Sequence, residues 1–451
     1  MMHQKILIQN KIQIIFNYKI HLIVYIHINM KKIDCLRGYA FSAIKVHSPI
    51  AIIGGGTAGL NVAAQLVADG HAIPQQIRIF EPSKMHAYQP GWTMIGGGLC
   101  DVKKTLKPMD QVLPKNISVS DSAVTKIIPQ ENQIETQDGG IYTYDQLVIA
   151  TGISTDFDSI KGARKYLEDS NAPVASIYNY KYAEKMNRLV QEFEGGNIVY
   201  TEPPLPIKCA GAPQKIIYLS HDRLNKRGIK THHHFYKTAG IIFGVPKYAE
   251  ILTELCKTKQ INCHFKQKLV EVQDHVAIFE NQDTKELKSV TFDLLHLVPP
   301  QTPAQFIAKS GLGDQAGFTQ VHPNTLQHVT YKNIWSLGDC SSLPTSKTAA
   351  AVMAQTPVLV KNLIRSWKLK QDPLPGYLGY TSCPIFTSQS KLLLAEFKYN
   401  SELDETFPIF QSNESRLMFH LKKDFFPIAY WQIMVRGWWG GRDGLRFFKG
   451  A

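Results

Sequence analysis

Ala51-Ile52-Ile53-Gly54-Gly55-Gly56-Thr57-Ala58-Gly59-Leu60 decides the fold of this chain. An apolar strand runs into Gly54-x-Gly56-x-x-Gly59 and on into a helix expected from Leu60 to about Asp69. A second strand, Ile77-Arg78-Ile79-Phe80, ends at Glu81, 22 residues past Gly59. The glycines let the backbone turn tightly and approach a pyrophosphate at the helix N-terminus, where free N–H groups and the helix dipole favour an anion. A carboxylate ending the second strand accepts hydrogen bonds from ribose hydroxyls, and Glu81 has the spacing this requires. Together these parts predict a dinucleotide-binding α/β unit contacted by Gly54, Gly55, Gly56, Gly59 and Glu81.

Composition bounds the rest. At 451 residues the chain has room for about two to three domains. With 44% hydrophobic and 19% charged residues it is an ordinary globular sequence, neither disordered nor fibrous. The formal charge is +13, and residues 1–47 hold seven Lys/Arg against one acid, Asp34. The modest excess elsewhere suits an anionic membrane surface or small anionic substrates, and no basic stripe or known module argues for nucleic acid. Seven scattered cysteines are too few for a secreted disulfide framework. Cys256 and Cys263 lack a matching His or Cys pair for a metal, and Cys340 reads as a small buried residue. The neighbours in His232-His233-His234 alternate faces on a strand and cannot all converge on one ion.

Two later segments point to FAD. Leu147-Val148-Ile149-Ala150-Thr151-Gly152 resembles the crossing point between the domains of two-dinucleotide-domain flavoproteins, which implicates Thr151 and Gly152. Ile334-Trp335-Ser336-Leu337-Gly338-Asp339 resembles their late Gly-Asp motif, whose acid meets the ribityl chain. A motif that late makes the FAD domain discontinuous, with residues 155–305 inserted as a second domain. Ser346-Lys347-Thr348-Ala349 reads as a helix start with Lys347 in its first turn, a cation near the flavin ring that stabilises its anionic reduced form.

In NADH-dependent relatives the inserted domain has its own glycine fingerprint. Here the strand Gly196-Asn197-Ile198-Val199-Tyr200 is followed by Pro203, Pro204 and Pro206. Proline supplies no N–H and fixes φ, so the turn is ill suited to a pyrophosphate. It offers instead Cys209, just before a helix expected from Ala212 to about Asp222, where the helix dipole, Lys208 and Lys215 favour a thiolate.

From about Pro49 onward the chain resembles the mitochondrial sulfide:quinone oxidoreductases. The resemblance is carried by Lys208-Cys209-Ala210-Gly211-Ala212-Pro213-Gln214-Lys215, Phe243-Gly244-Val245, Pro344-Thr345-Ser346-Lys347-Thr348-Ala349-Ala350-Ala351, Ser382-Cys383-Pro384 and the tail Tyr430-Trp431…Arg436-Gly437-Trp438-Trp439-Gly440-Gly441. It implies an α/β fold of two Rossmann-like domains: an FAD domain (48–154 and 306–370), a second domain without a NAD site (155–305), and a C-terminal redox-cysteine and membrane-interface region (371–451). It implies Cys209 and Cys383 as the redox pair, and FAD contacts at Gly55, Gly56, Glu81, Gln89, Val124 and Asp339. Its expected partners are hydrogen sulfide, a ubiquinone-type quinone, a sulfur acceptor such as glutathione or sulfite, and a membrane surface, on the mitochondrial inner membrane. A type II NADH:quinone oxidoreductase, a soluble flavocytochrome-type sulfide dehydrogenase and a redox-inactive flavin-binding protein are the competing readings.

Met30 to Lys45 is basic, contains Ser and alternates apolar with polar residues, as transit peptides do. Residues 1–47 are therefore expected to form a cleaved presequence, with the true start at Met30. Residues 425–449 hold three of the six tryptophans among Arg and Lys, the composition of an interfacial helix.

Overall fold

The computed structural model describes residues 45–407 and 411–441. The presequence reading of residues 1–44 and the last part of the tail, 442–451, lie outside the described residues.

The strand Lys45–Ile53 leads to Gly54 and then to the helix Thr57–Ala68, three residues earlier than the apolar pattern indicated. Strand Ile77–Phe80 lies parallel to it, and Glu81 follows. Gly54 has φ +104°, a conformation that side chains rarely adopt, so only glycine turns the chain there without strain. The sheet built on these strands has seven members, in the order Ser118–Ser120, Ile77–Phe80, Lys45–Ile53, Ile141–Ile149, Gln133–Thr136, Val124–Ile128. The seventh, Ile334–Ser336, pairs in parallel with Ile141–Ile149 although 184 residues separate their nearer ends. The chain thus leaves this sheet after Ile149 and returns to it at Ile334. Leu147, Val148 and Ile149 are fully buried, as a strand covered on both faces requires.

The excursion builds a second sheet of five strands, Val174–Ala175, Leu294–His296, Gly196–Glu202, Thr231–Lys237 and Ile261–His264, all parallel. The helix Ala212–Lys226 crosses from the third to the fourth of these, one turn longer than expected. A three-stranded antiparallel sheet, Gln267–Gln273, Val276–Asn281 and Leu287–Thr291, caps the excursion. On strand Thr231–Lys237 the histidines alternate: His232 is exposed, while His233 is buried against Tyr200. Among the described residues no three metal-ligating side chains come together.

The C-terminal part supplies a hairpin, Thr381–Phe386 with Leu392–Phe397, then short helical turns from Arg416 to Arg436. The tail is partly built into the core. Ala429, Tyr430, Trp431 and Val435 are buried. The Tyr430 hydroxyl bonds Thr57 Oγ1 at 2.8 Å and His86 Nε2 at 2.7 Å. At Gly437 an added Cβ would sit 2.5 Å from the Ala64 carbonyl carbon, so this turn packs directly on the first helix. Tyr430 and Trp431 are therefore core, while other large apolar side chains face out: Leu417 (69% exposed), Phe425 (46%), Ile428 (62%) and Trp438 (48%). No helix among the described residues is long and apolar enough to cross a membrane.

Candidate active site

Two distant segments bring sulfur to sulfur. Cys209 sits in the loop between Glu202 and the helix Ala212–Lys226; Cys383 is on the Thr381–Phe386 strand, 2% exposed. Their Sγ atoms are 3.5 Å apart. Gly211 makes the approach feasible: a Cβ there would lie 2.5 Å from Cys383 Sγ.

Cys209 has φ +48°, the left-handed region, which costs a non-glycine residue about 1–3 kcal/mol and persists only where surroundings enforce it. The enforcing contacts are specific. The Cys209 N–H donates to the Lys347 carbonyl at 2.8 Å, within a bridge between Lys208 and Lys347. Tyr178 Oη donates to the Lys208 carbonyl at 3.0 Å, and the Lys208 N–H donates to Gln301 Oε1 at 2.9 Å.

The electrostatics are asymmetric. The hydrogen bond from Cys383 holds the Cys209 thiol well below its ordinary value; burial opposes this, and the Lys215 ammonium, 3.1 Å from Cys209 Sγ, adds to the lowering. Cys383 is pushed the other way, first by donating that bond and then by burial. These opposite shifts favour Cys209 over Cys383 for a thiolate. Burial opposes the Lys215 charge, but the two sulfurs hold its ammonium above the ordinary lysine range. Because the Cys209 pKa is depressed, its thiolate survives as pH falls below the usual thiol range. In reduced protein, iodoacetamide labelling of Cys209 is expected to stay fast near neutrality, and Lys215→Met to move the profile to higher pH. An unmoved profile would mean that Lys215 does not sustain the thiolate.

Burial lowers the Lys208 pKa, and the Asp339 carboxylate opposes that shift. Lys347 requires correction. The helix Ala349–Trp367 is capped by Thr348, whose Oγ1 accepts from the Ala351 N–H, so Lys347 precedes the helix. Its ammonium turns back to the Ser341 carbonyl and lies 4.6 Å from the Phe318 ring centroid. What Lys347 gives Cys209 is its backbone carbonyl.

Lys422 was not singled out in the sequence. It lies in a π-helical turn, Leu421–Phe425, is 6% exposed, and donates to the Tyr88 hydroxyl across 3.4 Å. Burial, and then Lys215, lower its pKa to about 7, while the two cysteines oppose that shift. Nothing local in the sequence distinguishes it from the neighbouring Lys423.

The glycine turn forms a cradle. A Cβ on Gly56 would meet nothing within 4 Å, leaving the helix N-terminus open. Glu81 Oε2 accepts from the Gly55 N–H at 2.7 Å and Oε1 from the Ser83 N–H at 2.8 Å, and each carboxylate oxygen keeps a further lone pair. Thr151 Oγ1 is buried without a hydrogen-bond partner among the described residues, beside Gly152 with φ +66°. Burial raises the Asp339 pKa, against the pull of Lys208 and Lys347. Gly338, Asp339, Lys347 and Gln355 line a narrow opening. Gln89 is exposed in a short turn, and Val124 packs with Ile53 and Phe80.

The strand-glycine-helix cradle has a Rossmann-like flavoprotein fold, and the family model for pyridine nucleotide-disulphide oxidoreductases matches residues 48–199. The chain is 43% identical over 410 residues to the mitochondrial sulfide:quinone oxidoreductase of Dictyostelium discoideum, covering 89% of each chain. It is 39% identical over 425 residues to that of Schizosaccharomyces pombe, covering 88% of this chain and 92% of the relative. The solved sulfide:quinone oxidoreductase of Aquifex aeolicus has the same fold, with a TM-score of 0.70 at 18% identity, covering 85% of this chain and 91% of the other. The chain belongs to the sulfide:quinone oxidoreductase family. Its cofactor is FAD. The open helix N-terminus at Gly56, the remaining lone pairs of Glu81 and the unpartnered Thr151 hydroxyl fit that group.

Proposed function

We propose that this chain is a sulfide:quinone oxidoreductase that oxidises hydrogen sulfide at Cys209 and Cys383. The observation that carries the reading is the sulfur pair itself, 3.5 Å apart with one lysine ammonium 3.1 Å from Cys209. Two S–S bonds of about 2.05 Å meeting at one bridging sulfur span roughly that separation, so the pair suits either a direct disulfide or an inserted sulfur atom.

In the disulfide form, hydrosulfide attacks one sulfur, the S–S bond breaks, and the other cysteine leaves as thiolate. The charge asymmetry favours Cys209 as leaving thiolate, stabilised by Lys215, and Cys383 as persulfide carrier. A small nucleophile such as glutathione thiolate or sulfite then takes the terminal sulfur and leaves the Cys383 thiolate. Bound FAD would supply the two-electron acceptor whose reduction lets the Cys209 and Cys383 thiolates re-form their S–S bond, the electrons passing on to a ubiquinone-type quinone. Gly54, Gly55, Gly56, Gly59, Glu81, Gln89, Val124, Thr151, Gly152 and Asp339 would hold it, and Lys347 supports it through the Cys209 loop.

The domain limits 48–154 with 306–370, 155–305 and 371–451 belong to this reading. In the inserted sheet the strand ends where a nicotinamide dinucleotide would dock carry Glu202 and Lys237, a buried ion pair at 2.7 Å. Lys237 stands where a ribose-binding acid is needed. Purified protein should reduce a short-chain quinone with sulfide and not with NADH; comparable NADH turnover would revive the NADH:quinone reading.

Peripheral attachment to the mitochondrial inner membrane completes the proposal. The outward stripe of Leu417, Phe425 and Ile428, bordered by Arg416 and Lys423, presents apolar side chains and cations to headgroups. Phe425→Glu with Ile428→Glu is expected to lower binding to anionic phospholipid vesicles at least about tenfold in a flotation assay. Equal flotation would place the contact elsewhere.

A further inference from the structure

Gln301 holds the loop of the reactive cysteine and is only half satisfied. It lies on the short strand Gln301–Thr302 and is 7% exposed. The Lys208 N–H donates to its Oε1 at 2.9 Å. Only the oxygen of an amide side chain can accept from an N–H, so that bond fixes which way the amide faces. Its Nε2 is then directed away from Lys208, buried, and without a hydrogen-bond partner among the described residues. Buried donors are rarely left unmet, so an orphan of this kind marks the place of a missing acceptor.

The surroundings locate that acceptor. Lys208, gripped by Gln301, bridges to Lys347, which lines the opening with Asp339. The Gln301–Thr302 strand pairs with Ser154–Thr155, two residues past Ala150-Thr151-Gly152, where the Thr151 hydroxyl is likewise buried without a partner among the described residues. Gln301 thus stands at the seam between the Cys209 loop and the cofactor opening.

We propose that Gln301 is a positioning residue that couples the two: Oε1 fixes the peptide before Cys209, and Nε2 donates to an acceptor atom of bound FAD. The proposal rests on the cofactor reading of the opening. Two variants separate its halves. Gln301→Glu keeps an oxygen for the Lys208 N–H but, ionised, donates nothing; Gln301→Leu removes both bonds. Gln301→Glu is expected to weaken FAD binding about five- to tenfold, read by recovery of free-flavin fluorescence. It should also lower the flavin reduction potential in a dye titration, and its added charge should move the Cys209 iodoacetamide profile only to higher pH. Gln301→Leu should weaken FAD to a similar degree and also alter the Cys209 profile. Wild-type FAD affinity and potential in Gln301→Glu would overturn the donation, and an unchanged Cys209 profile in Gln301→Leu would overturn the grip. A wild-type chain that neither carries nor takes up FAD would instead refute the cofactor reading beneath it.

Discussion

Cys383→Ser is expected to bind FAD normally and to lose sulfide-dependent quinone reduction by on the order of a thousandfold or more. The serine hydroxyl cannot form the S–S bond that sulfide must break, and among the described residues Cys383 is the thiol that meets Cys209 Sγ. Cys209→Ser should fail equally, since it removes the thiolate that Lys215 sustains. Cys340→Ser is the control. Its thiol is buried and bonds the Ile149 and Leu337 carbonyls and Ser336, so the change should cost stability rather than chemistry. Turnover in Cys383→Ser within a few-fold of wild type would remove the cysteine pair from the mechanism.

Gly211→Ala is expected to cut the same activity about a hundredfold without touching either cysteine. The added methyl would meet Cys383 Sγ at 2.5 Å, well inside contact distance, with Phe243 and Ile385 closing the space behind. Gly211 has φ −84°, which alanine adopts freely, so the effect is steric and not one of backbone strain. The two sulfurs must separate, and bond exchange between them depends on their alignment. Peptide mapping of the reduced and oxidised protein would show the oxidised pair forming in wild type and much less in the variant. Full activity in Gly211→Ala would mean that the sulfur spacing is not critical.

The sequence was most legible where chemistry is local. Strand, glycines, helix and acid are encoded within about thirty consecutive residues, and Ile77–Phe80 with Glu81 stands where it was read. The helix start slipped from Leu60 to Thr57 because Thr57-Ala58-Gly59 continues the turn without adding to the apolar pattern. The cysteine pair is not local. It spans 174 residues and forms because the Thr381–Phe386 strand packs on the helix that follows Cys209. Only resemblance identified it; spacing alone does not. Lys422 and Gln301 were invisible for the same reason, since each acts through a partner more than 90 positions away. The tail shows a different limit. Aromatics mixed with cations serve a membrane face and a buried seam equally well. The helical period that would separate them is broken here by a π-helical turn and a 3₁₀ turn, so Tyr430 and Trp431 point inward while Phe425 and Ile428 point out.

The central claim is that sulfide electrons enter through Cys209 and Cys383, and an anaerobic titration tests it most directly. Sulfide is added to the FAD-loaded protein while flavin absorbance is followed, and a short-chain quinone is added afterwards. The account predicts bleaching by sulfide, recovery with quinone, and no bleaching in Cys383→Ser. Flavin that stays oxidised in the wild-type protein, or that bleaches equally in Cys383→Ser, would contradict it.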